Sequence, residues 1–206
     1  MRKSGKILIL FLALFTLGSW RSAQQVNEWV YEQEKKGIKI FTKKSKWGKL
    51  RDAKAVMLVS NSPEDMLRLL TDFDNYPNWV PRCKSAKVVA RLNANEFIAH
   101  MVFNAPWPVS DRDCVLRIKV EREPNGTIIM TETSEPKYLK EQEGVVRIEQ
   151  MVAVWKFVPK AGGTEVTNEY SSNPGGTIPD WMTNTQSVEN PMTTFENLQK
   201  QAVTHK

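Results

Sequence analysis

Histidine and cysteine are scarce in this chain, with two of each among 206 residues. His205 stands one residue from the C-terminus, so chemistry that needs an imidazole rests on His100 alone. Cys83 and Cys114 show no metal-ligand spacing and have no histidine beside them, which removes zinc sites and Cys/His nucleophile pairs. No cofactor motif is present. Also missing is a hydrophobic run long enough to span a bilayer: the segment Ile7–Leu17 has 11 residues, against the ~20 that a spanning helix needs. There is no internal repeat, low-complexity tract or dividing linker. A strong charge excess is lacking too. The whole chain has 29 basic and 23 acidic residues, but Arg2, Lys3, Lys6 and Arg21 fall in the first 23 positions with no acid among them. Without that segment the balance is close to neutral, and nothing argues for a nucleic-acid partner.

What is there begins with that N-terminal segment. Basic residues precede the hydrophobic run, and the small residues Gly18, Ser19, Ser22 and Ala23 follow it, the layout of a secretory signal. We expect residues 1–23 to be the signal, with Ala23 the last residue removed although Arg21 departs from a small-x-small site. The remainder, 24–206, is then one exported domain, periplasmic or extracellular. No cysteine near Ser19–Gln25 would anchor a lipid. The basic cluster from Lys43 to Lys54 reads as the solvated side of a hairpin, with a polar-headgroup contact as the alternative.

Strands are expected over Lys36–Lys44 and Leu50–Ser60. A helix follows, with Ser62 as N-cap, Pro63 at its first position, Glu64 and Asp65 in the first turn, and a stripe of Met66, Leu69, Leu70 and Phe73. Pro77 and Pro81 bracket an aromatic turn. From Ser85 the period becomes two. Six strands make an antiparallel meander: Ser85–Leu92, Glu96–Phe103, Cys114–Val120, Thr127–Thr133, Val145–Val158 and Glu165–Ser171. Asn125-Gly126 supplies the strongest turn signal. The last 25 or so residues read as a helix carrying Trp181, Val188, Met192, Phe195, Leu198 and Ala202, with Pro191 expected to kink it or locally free a carbonyl. This is an α+β chain: a curved antiparallel sheet with a long helix across its concave face. Such a bent sheet either packs solidly under the helix or leaves an apolar cavity.

Four stretches then resemble the START domain, the StAR-related lipid-transfer fold: "FDNYPNWVP" (73–81), "APWPVSDRD" (105–113), the strand "VRIEQMVAVWKFVP" from residue 146, and "TEVTNEYSSNPGGTIPDWMTN" (164–184). The resemblance runs from Val26 to Lys200. Departures are Val109-Ser110-Asp111, Cys114 where an aromatic is common, and "SSNPGG" in place of an acidic start. The resemblance implies a helix-grip fold whose interior holds one apolar molecule, gated by the loop Asn104–Asp113 and the C-terminal helix. Pro106 and Pro108 fix two φ angles and remove two donors, so that loop cannot zip into the sheet. Trp107 either presents its ring at the mouth or packs as a plug on the neighbouring helix. Arg112 and Asp113 either brace the loop as an ion pair or meet a headgroup. Arg147 and Glu149 share strand parity with Met151, Trp155 and Phe157, and we expect that pair to form the polar end of the cavity or else to face solvent. Trp181, Val188, Met192 and Phe195 complete the expected lining.

Cys83 and Cys114 fall on next-but-one strands, ~10 Å apart, beyond the ~7 Å reach of a disulfide; we expect free thiols. The expected function is binding and carriage of one hydrophobic molecule (lipid, fatty acid or sterol-like) by a monomer in transient contact with membrane surfaces. The alternatives are a cyclase- or hydrolase-type enzyme using His100, and a non-transferring sensor or chaperone subunit.

Overall fold

The computed structural model describes residues 28–48, 50–177, 179 and 185–204. The expected signal segment and Trp181 lie outside them. The strands are β1 (Val30–Lys35), β2 (Ile38–Lys44), β3 (Arg51–Val59), β4 (Cys83–Asn93), β5 (Glu96–Phe103), β6 (Asp111–Arg122), β7 (Ile128–Ser134), β8 (Val145–Arg147), β9 (Gln150–Lys160) and β10 (Gly163–Asn173). Among the described residues two α-helices, α1 (Pro63–Thr71) and α2 (Asn190–Thr204), accompany them. All ten strands share one sheet in the order β1-β2-β3-β10-β9-β7-β6-β5-β4, with β8 alone pairing in parallel, against the start of β6. The architecture is the expected α+β helix-grip.

Local chemistry explains most of these elements. Ser62 caps α1 through a reciprocal box: its hydroxyl accepts from the Asp65 N–H while the Asp65 carboxylate accepts from the Ser62 N–H, which satisfies donors that would otherwise be orphaned. Met66, Leu67, Leu69 and Leu70 are the buried stripe of α1. Asn125-Gly126 turns β6 into β7, with Gly126 at φ 83°. In the basic β2–β3 hairpin, the Lys43 and Lys54 ammonium groups lie over the Trp29 ring, and Arg51 pairs with Glu32 at 3.0 Å.

Three features differ from expectation. First, β1 extends the sheet by an edge strand. Its sequence "VYEQEK" is almost wholly exposed, so no apolar alternation announces it; positive φ at Lys36 and Gly37 makes the tight return into β2. Second, the expected single strand from Val145 to Val158 is two. β8 lies beside β6, then the chain steps over Ile148 and Glu149 and continues as β9 beside β7 and β10. Third, α2 begins only at Asn190, after a π-helical turn at Thr185–Glu189. Pro191 therefore sits at the junction where the π-helical turn passes into α2, not in the interior of that helix.

Register decides which side chains face inward. One row crosses the sheet as Ala53–Tyr170–Ala153–Glu132–Ile118–Phe97, and the next as Ala55–Asn168–Trp155–Met130–Val120. Helix α2 packs on this face over β2 and β3. Phe195, 1% exposed, stacks on Trp155 with ring centroids 5.7 Å apart. Small residues at Ala53, Ala55 and Ala153 shorten the floor under the helix, so the sheet and α2 meet at Phe195 without filling the space beside it.

Candidate functional site

That space is a cavity of about 240 Å³ between the inner face of the sheet, the first turns of α2 and the loop 104–110. Its walls are mainly apolar: Leu70, Trp79, Met101, Phe103, Met151 and Trp155 all contribute. Asn104, Ala105, Pro106, Pro174 and Pro191 line it as well, the first three from the loop. The interior is not solid, although the volume is below the ~300 Å³ at which small-molecule pockets usually begin. A larger molecule requires those rims to part.

The structure divides the expected site residues. Arg112, Met151, Trp155 and Phe195 line the cavity. Val188 and Met192 are packed in the core beside it. Trp107 is 92% exposed at the loop tip, with a cis bond to Pro108; it is not a plug. Arg147 and Glu149 do not form the polar end of the cavity, and this expectation is corrected. Glu149 is exposed. Arg147 faces the opposite side of the sheet, where its Nε and Nη2 donate to Asp113 at 2.8 Å each. Its Nη1 and Nη2 also donate to the Leu139 and Lys140 carbonyls. The step at Ile148–Glu149 is the reason: it breaks the parity that would have carried Arg147 inward with Met151.

Asp113 consequently pairs with Arg147, not with Arg112. His100, on the same outer face, completes the cluster with Nε2 2.8 Å from Asp113 Oδ2. Burial works against the Asp113 charge, but the hydrogen bonds from Arg147 and His100 outweigh it and hold the carboxyl below its ordinary range. This buried triad fastens the segment Pro136–Arg147 to β6 and β5. It lies outside the cavity, and His100 reaches no cavity wall.

Several polar residues that the sequence reading missed do line the cavity, among them Arg82, Glu132, Asn168, Tyr170 and Ser172. Glu132 sits at the apolar parity of β7, following Ile128 and Met130. Burial pushes its carboxyl up to about 7, against the effect of the Trp155 indole N–H, which favours the charge. Burial likewise pushes Tyr170 up to about 12. The visible signal was an acid breaking an alternation of Ile and Met, and Asn, Tyr and Ser succeeding Val166 on β10.

Cys83 and Cys114 are free and buried, separated by β5, as strand spacing required. Burial raises the Cys83 thiol to about 11 and Cys114 further, so neither is a nucleophile.

Comparison with known proteins gives a consistent assignment. The START domain family model matches residues 20–203. An uncharacterized protein of Pseudomonas aeruginosa is 27% identical over 203 residues, 98% of each chain. The phosphatidylcholine transfer protein of Homo sapiens is 28% identical over 166 residues, 76% of this chain and 75% of that one. Among solved structures, a STAR-related lipid transfer protein fragment from Xanthomonas axonopodis superposes with a TM-score of 0.78 at 28% identity, covering 85% of this chain and 98% of that one. Human StAR-related lipid transfer protein 5 has the same fold, with a TM-score of 0.75 at 16% identity over 88% of each chain.

Proposed function

The chain belongs to the START domain family, and from that membership we propose that it binds a single hydrophobic molecule, a lipid, in the cavity under α2 and carries or presents it. The observation that carries this reading is the apolar space beside the Trp155–Phe195 stack. Exposing an acyl chain to water costs ~0.8 kcal/mol per CH₂, about 12 kcal/mol for sixteen carbons. A dry cavity that receives the chain as it leaves a bilayer removes much of that cost. The lipid-transfer names of the relatives support carriage over turnover.

The proposed path runs through the loop 104–110. Pro106 and Pro108 keep it unpaired, and the exposed Trp107 ring suits the membrane–water interface. Docking there would place the cavity mouth on the membrane, and parting of the loop from α2 would admit the ligand. We further propose that residues 1–23 direct export and that the carrier works as a monomer at membrane surfaces.

The enzyme alternative loses its expected residue, since His100 is bonded to Asp113 across the sheet from the cavity. Incubation with a lipid extract followed by native mass spectrometry tests the choice. Recovery of an unmodified lipid, unchanged by His100→Ala, supports a carrier. A converted product refutes it.

A further inference from the structure

Two buried donor atoms without a hydrogen-bond partner among the described residues belong to residues that line this one cavity, Arg112 Nε and Asn168 Nδ2; the Ser172 hydroxyl lines it too, beside its partner Tyr170. Arg Nε and Asn Nδ2 can only donate, and a serine hydroxyl can. At Arg112 and Asn168 what is missing is an acceptor.

Arg112 shows the imbalance most sharply. It is 7% exposed, and its Nη1 and Nη2 donate to the neutral carbonyls of Ser110 and Gly175 at 2.5 and 3.3 Å. The neighbouring carboxylate of Asp111 is occupied elsewhere, by Lys84 Nζ at 3.3 Å and the Ala105 N–H at 3.1 Å. Arg112 makes no ion pair among the described residues, whereas Arg147, its counterpart across the sheet, has a bidentate one. A buried guanidinium without a direct ion pair is costly, and burial lowers its pKa against the opposing influence of the Asp111 charge.

Position completes the case. Ser172 stands near the end of β10, just before the Pro174–Gly175 segment that Arg112 grips, so both residues belong to the mouth. Asn168 lies four residues further in on the same face, about 13 Å away, beside Trp155. Glu132, an acid lining the cavity, opposes any anion that slides deeper. We propose that the ligand is an amphiphile whose head presents anionic oxygens, phosphate or carboxylate, to Arg112 Nε and Ser172 Oγ at the mouth. Its tail runs inward past Asn168, which suits a further acceptor such as an ester carbonyl, toward Trp155 and Phe195.

This inference rests on the carrier reading, and the test separates the two. Delipidated protein is titrated with hexadecanoate and with hexadecanol, and with vesicles containing phosphatidic acid or diacylglycerol, while tryptophan fluorescence is followed. The anionic member of each pair should bind at least tenfold more tightly. Arg112→Gln should erase that preference, and Ser172→Ala should reduce it several-fold. Because Arg112 also ties two carbonyls, its variant could lose the fold; the preference of the unaltered protein then decides alone. Equal affinity for both members of each pair overturns the anionic head and leaves the carrier standing. Saturable binding of inorganic phosphate without a tail assigns the site to a free anion and overturns the amphiphile. Binding of none of these probes refutes the carrier itself.

Discussion

Replacing Glu132 by glutamine should stabilise the protein at pH 8 and change little near pH 4.5. The carboxyl has an ordinary value of 4.5 when the chain is unfolded and about 7 in the folded cavity. Above pH 7 it is ionised in both states, and the native state bears the full cost of a charge held against Trp155 and the apolar wall. At 1.36 kcal/mol per pH unit that cost is about 3 kcal/mol. Below 4.5 it is protonated in both states and the cost vanishes. Between the two values the native state binds a proton that the unfolded chain does not, so stability falls as pH rises. Glutamine keeps the size and an acceptor for the indole N–H without the charge. Tyr76, Cys114 and Tyr170, which feel this carboxyl, all have raised pKa values and stay neutral across the window, so they do not blur the comparison. Urea unfolding of delipidated protein at pH 5 and pH 8 measures the difference directly. The variant should gain up to about 3 kcal/mol at pH 8 and a small fraction of that at pH 5. An equal gain at both values, or a loss at pH 8, would refute the assignment of a buried, charge-disfavouring site to Glu132.

Other substitutions separate mouth, floor and scaffold. Trp107→Ala, at a fully solvated tip, should shift stability by less than about 0.5 kcal/mol yet slow lipid exchange with vesicles several-fold; a transfer assay showing no change would remove the loop from the membrane contact. Phe195→Ala should cost about 3–5 kcal/mol by opening space beside Trp155, and its melting temperature should recover when a bulky apolar ligand is added. Asp113→Ala should cost about 3–5 kcal/mol because it strands Arg147 among the carbonyls it already binds. The head preference of the cavity should survive that change, as measured by the paired titrations.

Much of the scaffold was legible in the chain. Alternation marked the central strands, Ser62 with Asp65 marked the start of α1, and Asn125-Gly126 marked its turn, because each is a local rule satisfied within a few residues. The cavity's chemistry was less legible. Val145, Arg147, Glu149 and Met151 look like one continuous alternation, and only the move from β6 to β7 reveals the parity break. Glu132, Asn168 and Tyr170 come together through the pairing of β7, β9 and β10, a long-range register that no single stretch displays. β1 escaped notice because an exposed edge strand needs no apolar face.

The two unpaired cysteines carry a consequence of their own. Cys114 is fully buried and Cys83 nearly so, and neither lines the cavity. A sulfhydryl dye can therefore reach Cys114 only when the strands around it separate, and its uptake there counts those openings as hydrogen exchange would. Occupation of the binding site should slow the reaction by the factor to which the ligand favours the closed molecule. The protein thus contains its own clock for opening, readable without any added label site.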